Sequence, residues 1–588
     1  MKQLLTLNKY FKKYKSKLFL GILFVVLSNI FRVLQPQAIR EALNEILAFV
    51  ELAPEARNAN LLIQSLMKFG FYILLFAVLM GLFMFMMRQT IIVMSRLIEY
   101  DLRSEIFKHY LTLDATFFKQ HKTGDLMSRI VEDVNKVRMY LGPALLYGIN
   151  LISLVLIVII TMFNVNAKLS LFTLLPLPIL SYIIYKVSDK IHRKSEVIQE
   201  QLAALTTKSQ ESFSGIRIVK SYATEQSWNQ DFGNAALKYK SDYLSLTKID
   251  ALFFPSMLLL IGLSTLITIY VGGLNVYNGS VTAGNIAEFV IYVTMLTWPV
   301  SAIGWCASII QQAEASQKRI NQFLATTSKL SNIGEKYEPN EVPEFEFQNV
   351  CFTYPDSGIK ALKNINLVIR PGQKVGLVGR TASGKTTIAE LLLRIYDADQ
   401  GQLNVGEKPL NSIQAHFVRS LVSYVPQDLF LFSDTVHENI KFGSPGTSQA
   451  SIQQAATTAL VHDDIEGFAS GYQAILGERG VNTSGGQKQR IGLARALLKD
   501  SKLVIMDDCL SAVDSETELR FLNNLESSLN GRSLLFITQR IKQTRFLDYI
   551  YVLDHGVLVQ EGSFDKLVSE SGLFNTLYTI ENQNKYQQ

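Results

Sequence analysis

Three features of this sequence predict a membrane domain of six transmembrane α-helices fused to a soluble α/β domain that binds phosphate groups. Six apolar stretches, beginning near Leu18, Leu61, Leu141, Leu169, Ala251 and Phe289, each offer about twenty residues able to cross a bilayer. After Ile310 the polarity returns to that of an ordinary soluble protein. Beyond that point a short apolar run ends in "GRTASGKT", a Gly-rich string of the kind that wraps phosphate.

The spans come first. Phe69 to Met87, Leu141 to Phe163, Leu169 to Tyr185, Ala251 to Asn275 and Phe289 to Ile310 contain no Asp, Glu, Lys or Arg. A soluble core helix would show a polar face at 3.6-residue spacing, and these do not. The N-terminal "MKQLLTLNKYFKKYKSK" places Lys2, Lys9, Lys12, Lys13, Lys15 and Lys17 before the first span, so it is expected to stay cytosolic. The loop "NVYNGSVTAGN" after the fifth span is uncharged, whereas long Lys/Arg-bearing segments, Ser95 to Arg138 and Lys186 to Lys248, follow spans two and four. An even number of spans returns the C-terminal domain to the cytosol. The first apolar run is too long for a cleavable signal and lacks a small-residue cleavage pattern.

With 588 residues, 48% of them hydrophobic, and a net charge of +6, the chain has room for several domains. Cys306, Cys351 and Cys509 are too few and too scattered for a disulfide framework. The seven histidines show no ligand spacing, and His462-Asp463-Asp464 reads as helix surface, so no site for zinc is expected. Aromatic and methionine side chains recur in spans three to six (Tyr147, Tyr185, Phe253, Tyr270, Tyr292, Met295, Trp298, Trp305), which fits helix packing. Arg32 is different. It lies about fourteen residues into the first span, where a charge is costly and usually functional.

The expected division is a transmembrane domain over 1–315, a linker over 316–344 and a soluble domain over 345–588; "QQAEASQKRINQFLATTSKL" reads as a helical extension of the last span and "SNIGEKYEPNEVPE" as Gly/Pro-punctuated chain. In "KVGLVGRTASGKTTIAELLL", Val375 to Val378 reads as a strand and the residues after Lys385 as a helix. Gly379 to Thr386 matches the P-loop pattern in the context that the pattern requires. The backbone of Gly379, Arg380, Thr381, Ala382, Ser383 and Gly384 would face nucleotide phosphates, assisted by the helix N-terminus at Thr386 and Thr387. Lys385 would reach the β/γ-phosphates, and the Thr386 hydroxyl would bind Mg²⁺. In "LVIMDDCL", Asp507 ends a buried apolar strand, a position from which a carboxylate can hold the same Mg²⁺. The cofactors expected are therefore ATP and Mg²⁺.

At this point the chain resembles an ATP-binding cassette (ABC) exporter half-transporter, and the resemblance covers nearly its whole length. "TSGGQKQRIGLARALL" is similar to the family's signature motif, which implies that Ser484, Gly485, Gly486 and Gln487 meet ATP held by the opposite subunit. The resemblance implies that Gln427 in "YVPQD" is the loop glutamine between Mg²⁺ and the membrane domain, and that Tyr354 in "FTYPD" stacks on adenine. "SAVD" (Ser511 to Asp514) matches a loop that crosses the family's dimer interface. "FFKQHKTGDLMSRIVEDVNKV" and "ESFSGIRIVKSYATE" resemble its coupling segments, and "GERG" (Gly477 to Gly480) resembles their receiving surface.

Three positions in one nucleotide site depart from the family pattern, and in the signature only the leading residue does, Thr483 where leucine is usual. Asp508 stands where a glutamate orients water, Gln539 where a histidine contacts the γ-phosphate, and Ala382 where the P-loop has glycine. The expectation is a site that holds MgATP and hydrolyses it poorly, in a chain that exports a hydrophobic or amphipathic compound. Its partners would be a second half-transporter with an intact Glu and His, the substrate and membrane lipid, with no nucleic acid. The alternatives are a homodimer with slow hydrolysis, or an ATP-gated channel or regulatory membrane protein. The membrane is expected to be a bacterial inner or plasma membrane.

Overall fold

The protein is seen in a computed structural model that describes residues 2–53, 58–328, 330, 334–477 and 480–583. It divides into two compact units, one of residues 1–111 and 123–326, the other of residues 112–122 and 327–588.

The first unit is all helix. In lipid every backbone N–H and C=O must be satisfied within the segment, so uninterrupted apolar sequence there becomes helix. Five described helical stretches are long and apolar enough to span a membrane: Lys15–Glu51, Ala59–Tyr110, Thr123–Val165, Glu225–Tyr277 and Ala283–Leu324. The fourth expected span, Leu169 to Tyr185, is not among them. It is divided between the helices Ala167–Leu174 and Pro176–Ser214. Pro176 lacks the N–H that would continue the first helix and is well suited to begin the second. The side chains of Tyr185, Phe253 and Trp298, which the sequence reading picked out, lie outside the described residues.

Polar side chains tie these helices together. Asn29 Nδ2 donates to Ser153 Oγ at 2.6 Å. Ser264 Oγ donates to the Thr173 carbonyl at 2.6 Å, and Thr268 Oγ1 to Thr173 Oγ1 at 3.0 Å. Glu288 is fully buried, 3.1 Å from Arg40 Nη1, and accepts from the Tyr292 hydroxyl at 2.9 Å. Small hydroxyls and amides are common joints between membrane helices because they hydrogen-bond without holding the backbones apart. Arg32 is half-buried.

The second unit carries two sheets. The first is antiparallel, in the order β2-β1-β4-β5, from β1 (Phe345–Thr353), β2 (Lys360–Ile369), β4 (Gln400–Val405) and β5 (Lys408–Pro409). The second runs β10-β9-β3-β8-β7-β6, from β3 (Lys374–Gly379), β6 (Val422–Val425), β7 (Leu503–Asp507), β8 (Ser533–Thr538), β9 (Tyr549–Asp554) and β10 (Val557–Gly562). Its pairs are parallel except β10 with β9.

Every residue of β7 and β8 is buried, as expected for parallel strands covered on both faces. Leu503 and Ile505 enter one core while Val504 and Met506 enter the other. That period of two is what makes "LVIM" a strand.

The short helix Ala115–Gln120, capped by Asp114 accepting from the Phe117 N–H at 3.1 Å, belongs to this second unit. Ala115 packs on its core and Asp114 accepts from Ser328 Oγ at 3.0 Å.

Candidate functional site

β3 and β7 both pair with β8, so their C-terminal ends open on the same edge of the sheet, separated by one strand. Ligands of parallel α/β sheets bind outside those carboxyl ends. From β3 the chain turns through Arg380–Gly384 into the helix Lys385–Leu392. Two glycines permit the turn. A Cβ on Gly379 would lie 2.0 Å from the Leu553 carbonyl oxygen. One on Gly384, at φ +104, would lie 2.6 Å from the Ala361 oxygen.

The cleft above has a volume of about 480 Å³. Thr381, Ala382, Ser383, Gly384, Lys385, Thr386 and Thr387 line it, together with Tyr354, Gln427, Asp507, Asp508 and Gln539. The sequence-predicted residues of five separate segments thus converge on one space. Gly379 and Arg380 contribute carbonyl oxygens that accept from Lys385 Nζ at 3.0 and 2.7 Å. Burial lowers the Lys385 pKa, opposed by the charges of Asp507 and Asp508. An ammonium so placed gains most from an anionic ligand, which repays its desolvation.

Asp507 is 2% exposed, and burial raises its pKa against a hydrogen bond from Thr386. Its Oδ2 has no hydrogen-bond partner among the described residues. A buried carboxylate oxygen left unmatched is costly. A hard cation beside the Thr386 hydroxyl would satisfy it, which fits the donor set of a Mg²⁺ site.

Asp508 sits at φ 46, a left-handed conformation, with its N–H donating to the Ile537 oxygen at 2.9 Å. Aspartate is one of the few residues with a side chain that visits this region readily. Gln539, just past β8, accepts from Thr381 Oγ1 at 3.2 Å, so its amide is tethered to the phosphate loop. Ala382 has φ 60, the strained conformation that its glycine-like position requires. Ala382→Gly should relieve about 1 kcal/mol of strain, less the added freedom of the unfolded chain. The net gain is a few tenths of a kcal/mol, so the expected result is a rise of no more than about 1 °C in melting temperature, measured on the full chain by thermal unfolding.

The Tyr354 hydroxyl donates to Glu390 Oε2 at 2.7 Å and shares a 2.9 Å hydrogen bond with Thr387 Oγ1. Its ring meets Phe352 and Tyr396 edge-on. Lys119, from the short helix Ala115–Gln120, holds its ammonium 5.0 Å over the Tyr354 ring and 3.8 Å from Glu390 Oε1. Sequence reasoning missed Lys119, Glu390 and His555, which also lines the cleft. Lys119 and Glu390 stand in stretches already quoted, the first coupling segment and the helix after the phosphate loop, but nothing local marks either as a neighbour of Tyr354; that pairing needs the fold.

Ser484, Gly485, Gly486 and Gln487 do not line this cleft. They begin the helix Gly485–Leu498. Ser484 accepts from the Gln487 N–H at 3.2 Å, and the Gln487 side chain accepts from the Ser484 N–H at 3.1 Å, a reciprocal cap. Gln489 fixes this helix start to the next loop: its Oε1 accepts from the Ala512 N–H at 3.0 Å and its Nε2 donates to Ser511 Oγ at 3.1 Å. The result is an exposed helix N-terminus suited to an anion that the cleft of the same chain does not supply. In "GERG", Glu478 and Arg479 lie outside the described residues.

Comparison with known proteins agrees with this geometry. Residues 18–300 match the family described as the ABC transporter transmembrane region, and residues 362–511 match the ABC transporter family. The probable multidrug resistance ABC transporter ATP-binding/permease protein YheI of Bacillus subtilis is 31% identical over 573 residues, covering 97% of this chain and 96% of that protein. The chain belongs to the ABC transporter family. Other relatives include the multidrug resistance-like ATP-binding protein MdlA of Escherichia coli, 34% identical over 508 residues and 86% of each chain. The ATP-dependent lipid A-core flippase of Syntrophus aciditrophicus is 33% identical over 482 residues, 82% of this chain and 80% of that one.

A solved structure of a bacterial Atm1-family ABC exporter with ATP bound superposes with a TM-score of 0.78 at 23% identity. It covers 96% of this chain and 98% of its own, and at that identity it speaks for the fold. This ABC transporter is thus a multi-pass membrane protein with an exporter fold and an ATP-binding domain, of a kind that works as a dimer.

Proposed function

We propose that the chain is one half of a heterodimeric exporter of hydrophobic or amphipathic compounds, whose own nucleotide site binds MgATP and hydrolyses it slowly. The observation that carries this reading is the cleft itself. It holds the binding groups Tyr354, Lys385, Thr386 and Asp507 together with Asp508 and Gln539. The substrate class draws support from relatives named for multidrug resistance and for lipid A-core flipping. All three are bacterial proteins, which supports placement in a bacterial inner or plasma membrane.

Each residue has a role in this scheme. Lys385 and the Ala382–Thr386 backbone hold the phosphates of the ATP substrate, and Tyr354 offers its ring to the adenine. Thr386, Asp507 and Gln427 would hold Mg²⁺, which supplies neutralisation of charge developing on the phosphate oxygens. Asp508 orients the attacking water from a carboxylate set back by about 1.5 Å, of order one bond length, relative to glutamate. A misplacement of about 1 Å costs on the order of a hundredfold in rate. Gln539 hydrogen-bonds phosphate but cannot carry the charge available to histidine. Loss of charge stabilisation slows the chemical step more than it weakens binding.

In this scheme Ser484, Gly485, Gly486 and Gln487 serve the partner's ATP. A homodimer would repeat Asp508 and Gln539 in both sites, whereas a partner with Glu and His makes one site fully active. The purified chain should bind MgATP and turn it over more slowly than about 1 s⁻¹. Steady-state phosphate release and equilibrium nucleotide binding, measured on the same full-length preparation, check this. Faster turnover would remove the reason for a partner of different sequence.

A further inference from the structure

A second cleft, within the membrane unit, bears on which compounds are exported. The helix Ala59–Met87 passes into Val93–Tyr110 through a π-helical turn, Arg88–Ile92. A π-helical turn at Tyr140–Ala144, with Pro143 inside, likewise opens the helix Leu145–Val165. Such turns break the regular side-chain rows by which helices interlock and recur at functional sites. Here they leave a cleft of about 390 Å³ lined by Arg88, Gln89, Ile92, Val93, Leu146 and Tyr147, within the range of small-ligand sites. Beside it the helices close together, since a Cβ on Gly142 would lie 2.6 Å from Ser95 Oγ.

The walls are mostly apolar and the Arg88 guanidinium is their one formal charge. Arg88 is exposed, and no ion pair joins it to another described residue. Three arginines cluster beyond it, Arg96 and Arg103 on the helix Val93–Tyr110 and Arg138 on the helix Val134–Met139. Arg96, Arg103 and Arg138 share a single carboxylate, Glu99, at 2.9, 2.7 and 3.8 Å. Tyr147 is steadied on the apolar side by the Trp305 ring, edge-on at 5.5 Å.

Depth matters as well. The charge-free run Phe69 to Met87 rises about 28 Å as a helix, close to the hydrocarbon thickness of a bilayer. Arg88 therefore marks the boundary where an amphiphile keeps its head group, with apolar wall beside it for the tail.

We propose that this cleft binds the exported compound and selects a single-tailed amphiphile with an anionic head group, carboxylate or sulfonate. The head pairs with Arg88, and the apolar body lies along Ile92, Val93, Leu146 and Tyr147. The assignment to exported cargo rests on the export reading above; the anion selectivity stands on the cleft alone.

The test uses the full chain in phosphatidylcholine nanodiscs with two probes of matched apolar body, pyrenebutyrate and pyrenebutanol, corrected for partition into empty nanodiscs. Wild type should bind the anion about tenfold more tightly than the alcohol, equivalent to about 1.4 kcal/mol. Arg88→Gln should bring the ratio to about one, Arg88→Lys should restore most of it, and Tyr147→Leu should weaken both probes alike. An unchanged ratio in Arg88→Gln overturns the proposal, provided that the variant elutes as wild type does.

Phosphatidylglycerol nanodiscs separate the two sources of anionic head group. Undiminished probe affinity supports the exported anion, whereas displacement of the probe means that bilayer phospholipid fills the cleft and overturns the assignment to cargo. If reconstituted transporter accumulates neither probe on adding ATP while the Arg88-dependent ratio persists, the export reading fails and the anion site stands.

Discussion

Ser484→Arg should lower ATP hydrolysis by the assembled transporter about a hundredfold or more, the scale of losing a main charge-stabilising contact. Ser484 caps the helix Gly485–Leu498 and is exposed at its N-terminus, and a Cβ on Gly486 would lie 3.2 Å from the Ala512 oxygen. An arginine there fills the place where the partner's ATP would dock. It also removes the cap, at a cost of about 1 kcal/mol. It adds a positive charge at a helix N-terminus, at a further cost of about 0.3–1 kcal/mol. Both are small against a domain stability of about 5–15 kcal/mol, so the domain should fold.

MgATP binding by the purified chain, which uses the other cleft, should change by no more than about twofold. Ser484→Ala, which loses the cap without adding bulk, should fall between the two. Asp508→Asn alters only the weak site and should leave most of the activity. If Asp508→Asn proves the more damaging substitution, the asymmetric reading is wrong.

The second large effect is a gain. Asp508→Glu combined with Gln539→His should raise steady-state hydrolysis by the purified chain about a hundredfold, the scale of an Å-level correction in a catalytic group. The glutamate regains the missing methylene and the histidine a titratable charge next to the phosphates. One cost opposes it. Position 508 is left-handed at φ 46, where glutamate is less at home than aspartate. The loss should be a fraction of the 1–2 kcal/mol typical of that conformation, too small to mask the gain.

Faster hydrolysis should loosen coupling. An ATP held at Lys385 and Thr386 would keep the two nucleotide domains together while the partner's site turns over, biasing the conformational equilibrium by its differential affinity. The ratio of substrate-stimulated to basal hydrolysis, in reconstituted membranes, should therefore fall in the double variant. A ratio that stays level or rises would make Asp508 only a poorer glutamate.

Much of the molecule was legible in the chain because it rests on short-range rules. Apolar runs with no polar face had to become membrane helices. "GRTASGKT" between an apolar run and a helical segment had to become a phosphate loop, because its glycines take backbone positions that a Cβ would obstruct. "LVIMD" had to be a buried strand with a carboxylate at its tip. The departures at Asp508, Gln539 and Ala382 were likewise readable as letters.

Tertiary structure decided what those letters mean. Hydropathy gave the fourth span as one stretch, and the structure keeps it helical while dividing it at Leu175, because Pro176 has no N–H to continue the hydrogen bonding, which a hydropathy sum does not register. The left-handed backbone at Ala382 and Asp508 follows from how the strand ends leave the sheet. The grouping of residues 112–122 with the nucleotide domain, and Lys119 over Tyr354, joins positions more than two hundred residues apart. The Arg88 cleft brings residues of one π-helical turn, Arg88–Ile92, beside Leu146 and Tyr147, which follow the other. Local sequence sets propensity and pattern over a few residues; which side chains share a cavity depends on packing between segments that the linear order keeps apart.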